Sequence, residues 1–319
     1  MSIVSRFTEM TKSRGLKGTL QYAARKSLGI ETYEDRFNTL FYFLNLLSSP
    51  GVIPKAEGEL GMVQAGDTLL LAITDEVCRQ HGLDYWIDGG TCLGAIRHKG
   101  FIPWDDDMDI CMMRDVYERA LPILKEELGK YGIDAEEETN EPIARIGIGY
   151  HHYETGLWID LLPAEYTTID ARDTSAVANY CAKSRKYQKG WLKKRGKLNR
   201  EQMFEYRKKF IPEICEKDQA KSIIYCPEFG LRPRLWSVED VFPLQETSFE
   251  GYKVLGPNNP HNYFLQFYGS SYMSFPQTGV AHHGGERGGL ISWAKQSGTD
   301  MAAIIKDLEG ILEKIQKEP

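Results

Sequence analysis

Four aspartates stand within five residues of one segment, Trp86–Met113, which reads WIDGGTCLGAIRHKGFIPWDDDMDICMM. Asp107 and Asp109 are separated by Met108, and in a strand such alternate residues point to the same face of the sheet. Two carboxylates one step apart repel each other unless a cation lies between them. Mg²⁺ suits this role, because it binds one or two carboxylates and keeps its other positions for substrate phosphates. The spacing therefore predicts a divalent metal site at Asp107 and Asp109.

A third carboxylate, Asp160, lies in the apolar run Trp158–Leu162. Burial of a lone aspartate is costly unless it meets a charge or a metal. If this strand is the neighbour of the strand Met108–Met113, Asp160 completes a three-carboxylate site, which holds one or two metals and activates an attacking hydroxyl. The alternatives for Asp160 are a cap residue and a member of a buried ion pair.

The other aspartates of the run have two interpretations. Asp105 shares the alternation of Asp107 and is the better candidate for a further metal ligand, whereas Asp106 is expected to face away from that side. A run of aspartates is also typical of an exposed acidic loop. Arg145 begins a strand close to the predicted site, and it either binds donor phosphates or pairs with the aspartates.

Two glycines, Gly89 and Gly90, follow a short predicted strand, Tyr85–Ile87. We expect a turn whose backbone N–H groups approach a phosphate, because no Cβ stands in the way. Arg97 and Lys99 follow within ten residues. They either hold donor phosphates or pair structurally with the aspartates, and the sequence leaves both interpretations open.

The elements that must position these residues form a pattern of helices and strands. Apolar residues at helical spacing predict the helices Phe37–Leu47, Asp67–Arg79, Val116–Tyr131 and Thr299–Lys317. Strands are predicted at Met108–Met113, Ile143–Tyr150 and Leu157–Leu162, with a loop at His151–Thr155 between the last two. This order favours an α/β (α+β) fold, with a mixed sheet flanked by helices.

Length and composition are those of a globular protein: 319 residues, 42% hydrophobic and 26% charged. They exclude a disordered chain, a collagen-like fibre and a coiled coil. The apolar runs are far shorter than the ~20 residues that span a bilayer, and the N-terminus lacks the apolar core of a signal peptide. We therefore expect a cytoplasmic protein. Its six cysteines show no CxxC spacing, so we expect reduced thiols rather than a zinc site.

Two blocks of the sequence carry a family resemblance. The run Asp88–Asp109, with its Asp-Gly-Gly-Thr start and its Phe-Ile-Pro-Trp-Asp-Asp-Asp end, is similar to the signature of the LicD family of phosphocholine transferases. The second block, Trp236–Tyr272, contains the family-like elements DVFPL, FEG, PNN and YG. The LicD family is related to the fukutin-related proteins of the nucleotidyltransferase-like superfamily. The resemblance covers about residues 65–285.

The resemblance implies a nucleotidyltransferase-like mixed sheet with a helical insertion and a C-terminal subdomain. The domains expected are a basic N-terminal arm and helix (1–60), a catalytic core (61–170), a basic helical segment (171–225) and a C-terminal family region with a closing helix (226–319). His283 lies where the family often has a basic residue, and we expect it in a core or surface role.

The resemblance also implies an activity. A metal-dependent enzyme of this family would transfer a substituted phosphate, such as phosphocholine or a polyol phosphate, from a CDP-linked donor to a hydroxyl of a cell-surface glycan or its lipid-linked precursor. Such glycans include lipopolysaccharide and teichoic acid. The alternatives are a nucleotidyltransferase that moves a nucleoside monophosphate to a small acceptor, and a binding protein with a degenerate site.

The implied roles fall on residues already singled out. The catalytic residues are Asp107, Asp109 and Asp160, with Asp160 or Asp109 as the base. These three and Asp105 are the ligands of Mg²⁺ or Mn²⁺. The donor is bound by Gly89, Gly90, Arg97 and Lys99. Positioning and charge neutralisation carry most of the catalysis in such reactions.

Charge is distributed unevenly along the chain. The net charge is −6, yet residues 1–30 carry six basic side chains against one glutamate, and Lys183–Lys209 holds twelve Lys and Arg against two Glu. These basic regions predict peripheral contact with an anionic membrane, at the inner face of the plasma membrane where lipid-linked acceptors would lie. The alternative for the second region is a solvated helix face. The acidic overall charge and the lack of an aromatic-rich platform argue against a nucleic-acid partner.

Overall fold

The computed structural model describes residues 11, 15, 17–21, 23–24, 33–138, 145–194, 197–211, 213–225, 234–276 and 298–317. The chain divides into two compact units, Met1–Val52 and Ile53–Pro319. In the first unit, helix α1 covers Tyr33–Leu47 and a 3-10 turn follows at Pro50–Val52. The predicted helix that ends at Leu47 is therefore confirmed, with one further turn at its start.

The second unit alternates helices and strands. Its helices are α2 Gly58–Gln80, α3 Gly89–His98, α4 Arg114–Gly129, α5 His152–Thr155, α6 Thr174–Lys194, α7 Arg200–Lys208, α8 Val238–Val241, α9 Pro260–Tyr268 and α10 Met301–Ile315. Its strands are β1 Trp86–Ile87, β2 Met108–Met113, β3 Ile133–Glu138, β4 Arg145–Tyr150, β5 Trp158–Thr167, β6 Ser222–Tyr225, β7 Leu235–Ser237, β8 Gln245–Phe249 and β9 Tyr252–Gly256.

Among the described residues, seven strands form one mixed sheet, in the order β1-β2-β5-β4-β3, with β6 paired to β5 and β7 to β6. Strands β2 and β5 are parallel, and the other pairs are antiparallel. Strands β8 and β9 form a separate hairpin. A parallel pair needs a crossover connection, and here the chain passes through α4, β3 and β4 between β2 and β5. The predicted mixed sheet flanked by helices is confirmed.

The core lies around β2 and β5. Ile110, Cys111 and Met112 of β2 are fully buried, and helices α2 and α4 pack against β5. A strand covered on both faces reads as a nearly continuous apolar run, which explains the residue types of β2. Helix α2 supplies the apolar run Leu69–Ile73 to the same core.

Two local predictions need correction, and one strand was missed. Gly89 and Gly90 are the first residues of helix α3, not a turn, because the helix starts directly after Asp88. The predicted loop after β4 contains the short helix α5. Strand β3 was not predicted: its sequence IDAEEE is acidic, as suits a strand at the end of the sheet order, where charge discourages pairing with another chain.

Within the described residues, no helix combines the length and the apolar character needed to cross a bilayer.

Replacement of a β2 core residue tests the central position of this strand. Ile110→Ala should lower the free energy of unfolding by about 2–5 kcal/mol, because it removes fully buried methyl and methylene groups and leaves a cavity. Denaturant unfolding measures this loss. Leu265→Ala, at a residue that is 37% exposed, is the matched control and should change stability far less. Equal effects of the two variants would contradict this core.

Candidate active site

Asp109 and Asp160 lie side by side on neighbouring strands. In the parallel pairing of β2 with β5, Asp109 is the register partner of Asp160, as Met108 is of Ile159. Adjacent strands are about 4.8 Å apart and register partners point to the same face of a sheet, so the two carboxylates lie close together on one face. The sequence analysis expected Asp160 to join the other aspartates only if these two strands were neighbours, and the structure confirms that they are.

The two glycines make room for the aspartates. A Cβ on Gly89, whose φ is +49°, would lie 2.9 Å from Asp109 Oδ2, and a Cβ on Gly90 would lie 2.6 Å from Asp105 Oδ2. Side chains at these positions would push the carboxylates away from the start of helix α3. The N-terminus of a helix carries a partial positive charge that favours nearby anions. In the structure, Gly89 therefore lies next to Asp109 and Gly90 next to Asp105.

The carboxylates at this helix start repel one another. Burial raises the pKa of Asp105 well above its ordinary value, and the charge of Asp107 and a hydrogen bond with it raise this pKa further. Burial also raises the pKa of Asp109, and the charges of Asp107 and Asp160 add to the shift. The shared cause is negative charge concentrated where water is largely excluded. A positive charge placed among these groups would relieve the repulsion.

Asp160 is held by two donors. Arg145 Nη1 donates to Oδ2, and Trp158 Nε1 donates to Oδ1 at 2.6 Å. The indole lies over β4 where Gly147 leaves space, since a Cβ there would overlap the ring. Of the alternatives for Asp160, the structure shows the ion-pair member, and Arg145 pairs with this aspartate. Sequence reasoning missed Trp158, although its spacing of two residues from Asp160 on a strand was a usable signal.

Asp67 is a buried carboxylate behind the site that sequence reasoning missed. It lies on α2, and its Oδ1 accepts a hydrogen bond from the Trp158 backbone N–H at 2.9 Å. Its Oδ2 is buried and has no hydrogen-bond partner among the described residues. Burial raises its pKa, and the charges of Asp107 and Asp106 add to the shift. The sequence feature that could have identified Asp67 is its position at the start of a predicted helix, next to the apolar run Leu69–Ile73.

Asp88, the residue before helix α3, is anchored by the C-terminal part of the chain. The Tyr263 hydroxyl donates to Asp88 Oδ1 and accepts from Trp86 Nε1 at 2.8 Å. Burial raises the pKa of Asp88, while Tyr263 and the charge of Arg234 oppose the shift. The Asp88 backbone N–H also donates to the Asp109 carbonyl at 2.9 Å. Strand β2 and the start of α3 are thus joined.

The basic residues of the signature lie at the other end of helix α3. Arg97 Nη1 donates to the Tyr272 carbonyl at 3.0 Å; burial lowers its pKa, and the charges of Tyr268 and Asp105 oppose that shift. Lys99 is exposed and caps the helix in the left-handed conformation, with φ +63°. A ten-residue helix is about 15 Å long. Arg97 thus contacts the Tyr272 backbone, Lys99 lies on the surface, and the roles of both residues toward a donor stay predictions.

The hairpin of the second signature block holds the loop that leads to the aspartates. Glu250 Oε1 accepts from the Phe101 backbone N–H at 3.0 Å, and Lys55 pairs with the same carboxylate. A Cβ on Gly100 would overlap Glu250. Glu250 therefore fixes the path of the chain toward Asp105, which explains why the two blocks occur together.

The donor set suits a hard divalent cation. Carboxylate oxygens are the ligands that Mg²⁺ prefers, and the mutual repulsion around Asp109 gives a cation an electrostatic reason to bind. In the part of the chain that the structure describes, no three acidic, histidine or cysteine side chains already converge into a metal cage. Asp105, Asp107 and Asp109 would hold the ion, with Asp160 beside them. The predicted residue His283 lies outside the described residues.

A separate cavity of about 370 Å³ lies between α2 and the β8–β9 hairpin. Its lining includes Asp75 and Arg79 of α2 and Glu246 and Lys253 of the hairpin. Asp75 pairs with Arg79 there, and Glu246 pairs with Lys253. The site aspartates do not line it, so this cavity is distinct from the carboxylate cluster.

Comparison with known proteins identifies the class of the domain that carries this site. Residues 82–228 match the family model described as LicD/FKTN/FKRP, nucleotidyltransferase domain. This stretch, which contains Asp88, Asp105, Asp107, Asp109 and Asp160, is therefore similar to the LicD family, and the resemblance predicted from the sequence is confirmed over residues 82–228. The second block, Trp236–Tyr272, lies beyond this match.

Individual relatives match over shorter stretches. The lipopolysaccharide cholinephosphotransferase LicD of Haemophilus influenzae is 53% identical over 47 residues, 15% of this chain and 18% of the relative. The ribitol 5-phosphate transferase FKRP of Homo sapiens is 55% identical over 29 residues, 9% of this chain and 6% of the relative. An uncharacterized protein of Rickettsia typhi is 42% identical over 60 residues, 18% of this chain and 19% of the relative. The matches thus span less than a fifth of these curated relatives.

Removal of the Tyr263 hydroxyl tests the anchoring of Asp88. Tyr263→Phe should lower the free energy of unfolding by about 1–3 kcal/mol, because it takes one hydrogen-bond donor from a buried carboxylate. Denaturant unfolding measures the change. Tyr42→Phe, at a tyrosine that is 61% exposed, is the matched control and should be neutral. A neutral Tyr263→Phe would mean that Asp88 does not depend on this bond.

Neutralisation of Asp107 tests the repulsion. The pKa values of Asp105 and Asp109 are raised in the folded state, so ionisation of these groups destabilises the folded protein. This loss of stability is absent at pH values below about 3.9, the pKa of an aspartate in the unfolded chain. Without divalent cations, stability should therefore fall as pH rises through the raised pKa values. Asp107→Asn should flatten this fall and stabilise the protein at pH 8 by on the order of 1 kcal/mol.

Thermal unfolding in chelator at pH 5.5 and pH 8 measures this difference. Asp134→Asn, at an exposed aspartate of β3, is the control and should keep the parent's pH dependence. An Asp107→Asn variant that is less stable than the parent at pH 8 would show that Asp107 supports the fold, and would contradict the repulsion.

Proposed function

We propose that the chain is a transferase that moves a substituted phosphate from a CDP-linked donor to a hydroxyl of a cell-surface glycan or its lipid-linked precursor. The observation that carries this proposal is the pairing of Asp109 with Asp160 beside the glycine start of α3, inside the LicD family stretch. The names of the relatives support it, since one is a lipopolysaccharide cholinephosphotransferase and another a ribitol 5-phosphate transferase.

The proposal includes Mg²⁺ or Mn²⁺ at Asp105, Asp107 and Asp109. When bound, the cation supplies positive charge that neutralises the donor diphosphate and the leaving cytidine monophosphate. The support is the ligand type and the raised pKa values of Asp105 and Asp109, which burial and neighbouring carboxylates cause.

The chain's own groups would then position the reactants. The start of helix α3 at Gly89 and Gly90 lies beside Asp105 and Asp109, and backbone N–H groups at the start of a helix can donate to a phosphate oxygen. Asp160, oriented by Arg145 and Trp158, or Asp109 accepts the proton of the acceptor hydroxyl. The acceptor oxygen bonds to the phosphorus that carries the transferred group, and the bond from that phosphorus to cytidine monophosphate breaks.

The choice of cytidine rests on family resemblance alone. The same carboxylates would equally serve a nucleotidyltransferase, which leaves the nucleoside monophosphate on the acceptor and is the alternative function. Product analysis separates the two, because only the proposed reaction releases free cytidine monophosphate.

A donor screen tests the proposal. The full chain is incubated with Mn²⁺ and with CDP-choline, CDP-ethanolamine, CDP-ribitol and UDP- or ADP-linked analogues, and released nucleoside monophosphate is measured. Release of cytidine monophosphate from a CDP compound is expected. Asp109→Asn should reduce it by about a hundredfold or more, since charge stabilisation is typically a large catalytic contribution, and its melting temperature should not fall. Trp158→Phe keeps a ring over Gly147 but removes the donor to Asp160, so it should shift the pH profile of release.

Asp134→Asn is the control and should release cytidine monophosphate like the parent. Full release by a folded Asp109→Asn variant would refute the assignment of the site. Equal release from the UDP and ADP compounds would remove the cytidine preference. When a hydroxyl acceptor is added to the same reaction, its modification by the nucleoside monophosphate would favour the alternative function.

A further inference from the structure

Helix α1 presents large apolar side chains to solvent. Seven of them are between 43% and 85% exposed: Phe37, Leu40, Tyr42, Phe43, Leu44, Leu46 and Leu47. From Phe37 onward the helix contains no charged residue. A helix that is apolar on nearly all sides is normally buried, and an exposed apolar patch of this extent marks an interaction site.

The length and composition of α1 fit the surface layer of a bilayer. The uncharged stretch Phe37–Leu47 has eleven residues, or about 16 Å of helix, which is half of the ~30 Å hydrocarbon core. It contains Phe37, Phe41, Tyr42 and Phe43, and aromatic rings of this kind concentrate at the membrane–water interface. The helix is therefore too short to span a membrane but suited to lie within its surface.

Charge indicates which surface α1 would bind. Residues 1–30 carry six basic side chains against one glutamate, a net of +5 in a chain whose total is −6. Up to Phe37, where the uncharged stretch of α1 begins, Glu31, Glu34, Asp35 and Arg36 bring the net charge of residues 1–36 to +3. Each Lys or Arg near an anionic leaflet contributes on the order of 1 kcal/mol of attraction. A second copy of the chain is a poorer occupant, because parallel pairing of α1 with α1 would bring two basic regions together, whereas an anionic surface neutralises them.

The second basic region has partners within the chain. Lys183 pairs with Glu213, Lys208 pairs with Glu205, and Lys194 lies over the ring of Tyr206 with its Nζ 5.2 Å from the ring centre. In these contacts the basic side chains are already paired with acidic or aromatic groups of the chain, as on a solvated helical surface. The structure thus favours α1 over this region as the membrane element.

We infer that α1 is an interfacial anchor, which lies in the surface of an anionic bilayer with the basic N-terminal residues on the headgroups. Burial of the apolar side chains at the acyl boundary and attraction of the basic residues act together. Attachment would bring the active site to a lipid-linked acceptor, a benefit that rests on the proposed function. The binding itself does not, so vesicle binding and donor turnover are separate measurements.

Sedimentation with vesicles tests the anchor. The full chain is mixed with vesicles of phosphatidylglycerol and phosphatidylcholine, or of phosphatidylcholine alone, at low and high salt. It should pellet with the anionic vesicles, and less at high salt. The triple variant Leu40→Ser, Phe43→Ser, Leu47→Ser keeps the charge and should bind at least about tenfold more weakly, because it removes large apolar side chains from the contact.

Two control variants accompany it. Leu265→Ser with Met273→Ser removes exposed apolar side chains elsewhere and should bind like the parent. Lys193→Glu with Lys194→Glu reverses charge in the second basic region and should also bind like the parent. Release of nucleoside monophosphate in the absence of vesicles should be the same for the parent and the triple serine variant, which separates loss of the anchor from loss of catalysis.

Several results would overturn the inference. One is a parent chain that does not pellet with anionic vesicles; another is a triple serine variant that pellets as the parent does. A parent dimer in solution that this variant converts to a monomer would assign α1 to a second copy. A large fall in the melting temperature of the variant would show that α1 packs on the rest of the chain. Loss of binding in the Lys193/Lys194 variant alone would move the anchor to the second basic region.

Discussion

Electrostatic repulsion among Asp105, Asp107 and Asp109 is the constraint on which the rest of the site depends. The parallel pairing of β2 with β5 adds Asp160 to the same group, and burial prevents water from screening these charges fully. Such an arrangement persists only because the surrounding core holds it. Because strand β2 is buried, the carboxylates cannot move apart, and a cation bound among them would relieve their repulsion.

The scaffold holds this cluster through contacts that are distant in sequence. Tyr263 reaches Asp88 at the start of helix α3, and Glu250 holds the loop before the aspartates. Trp158 links Asp67 of α2 to Asp160 of β5 through its backbone N–H and its indole N–H. Each of these residues makes a hydrogen bond to the backbone or to a carboxylate, and these bonds position the site.

The central features of the fold and of the site follow from local sequence patterns. The alternation of apolar residues with Asp107 and Asp109 predicted strand β2, and the apolar run around Asp160 predicted its neighbour. The start of helix α3 at Gly89 and Gly90 could not be predicted in this way, because two glycines favour a turn by propensity. Only the folded chain shows that a Cβ at either position would lie within 3 Å of an Asp109 or Asp105 oxygen. The partners Tyr263 and Glu250 have no period or spacing relative to the aspartates, so only the folded chain reveals them.

The bond between Tyr263 and Asp88 has a consequence for the modularity of the domain. The stretch recognised by family comparison ends at residue 228, whereas Tyr263, Glu250 and strand β7 lie beyond it. A fragment cut at that boundary would leave Asp88 buried with one donor fewer and would expose the edge of β6 to solvent. The part of the chain that is needed to hold this site together is therefore longer than the segment recognised by sequence similarity.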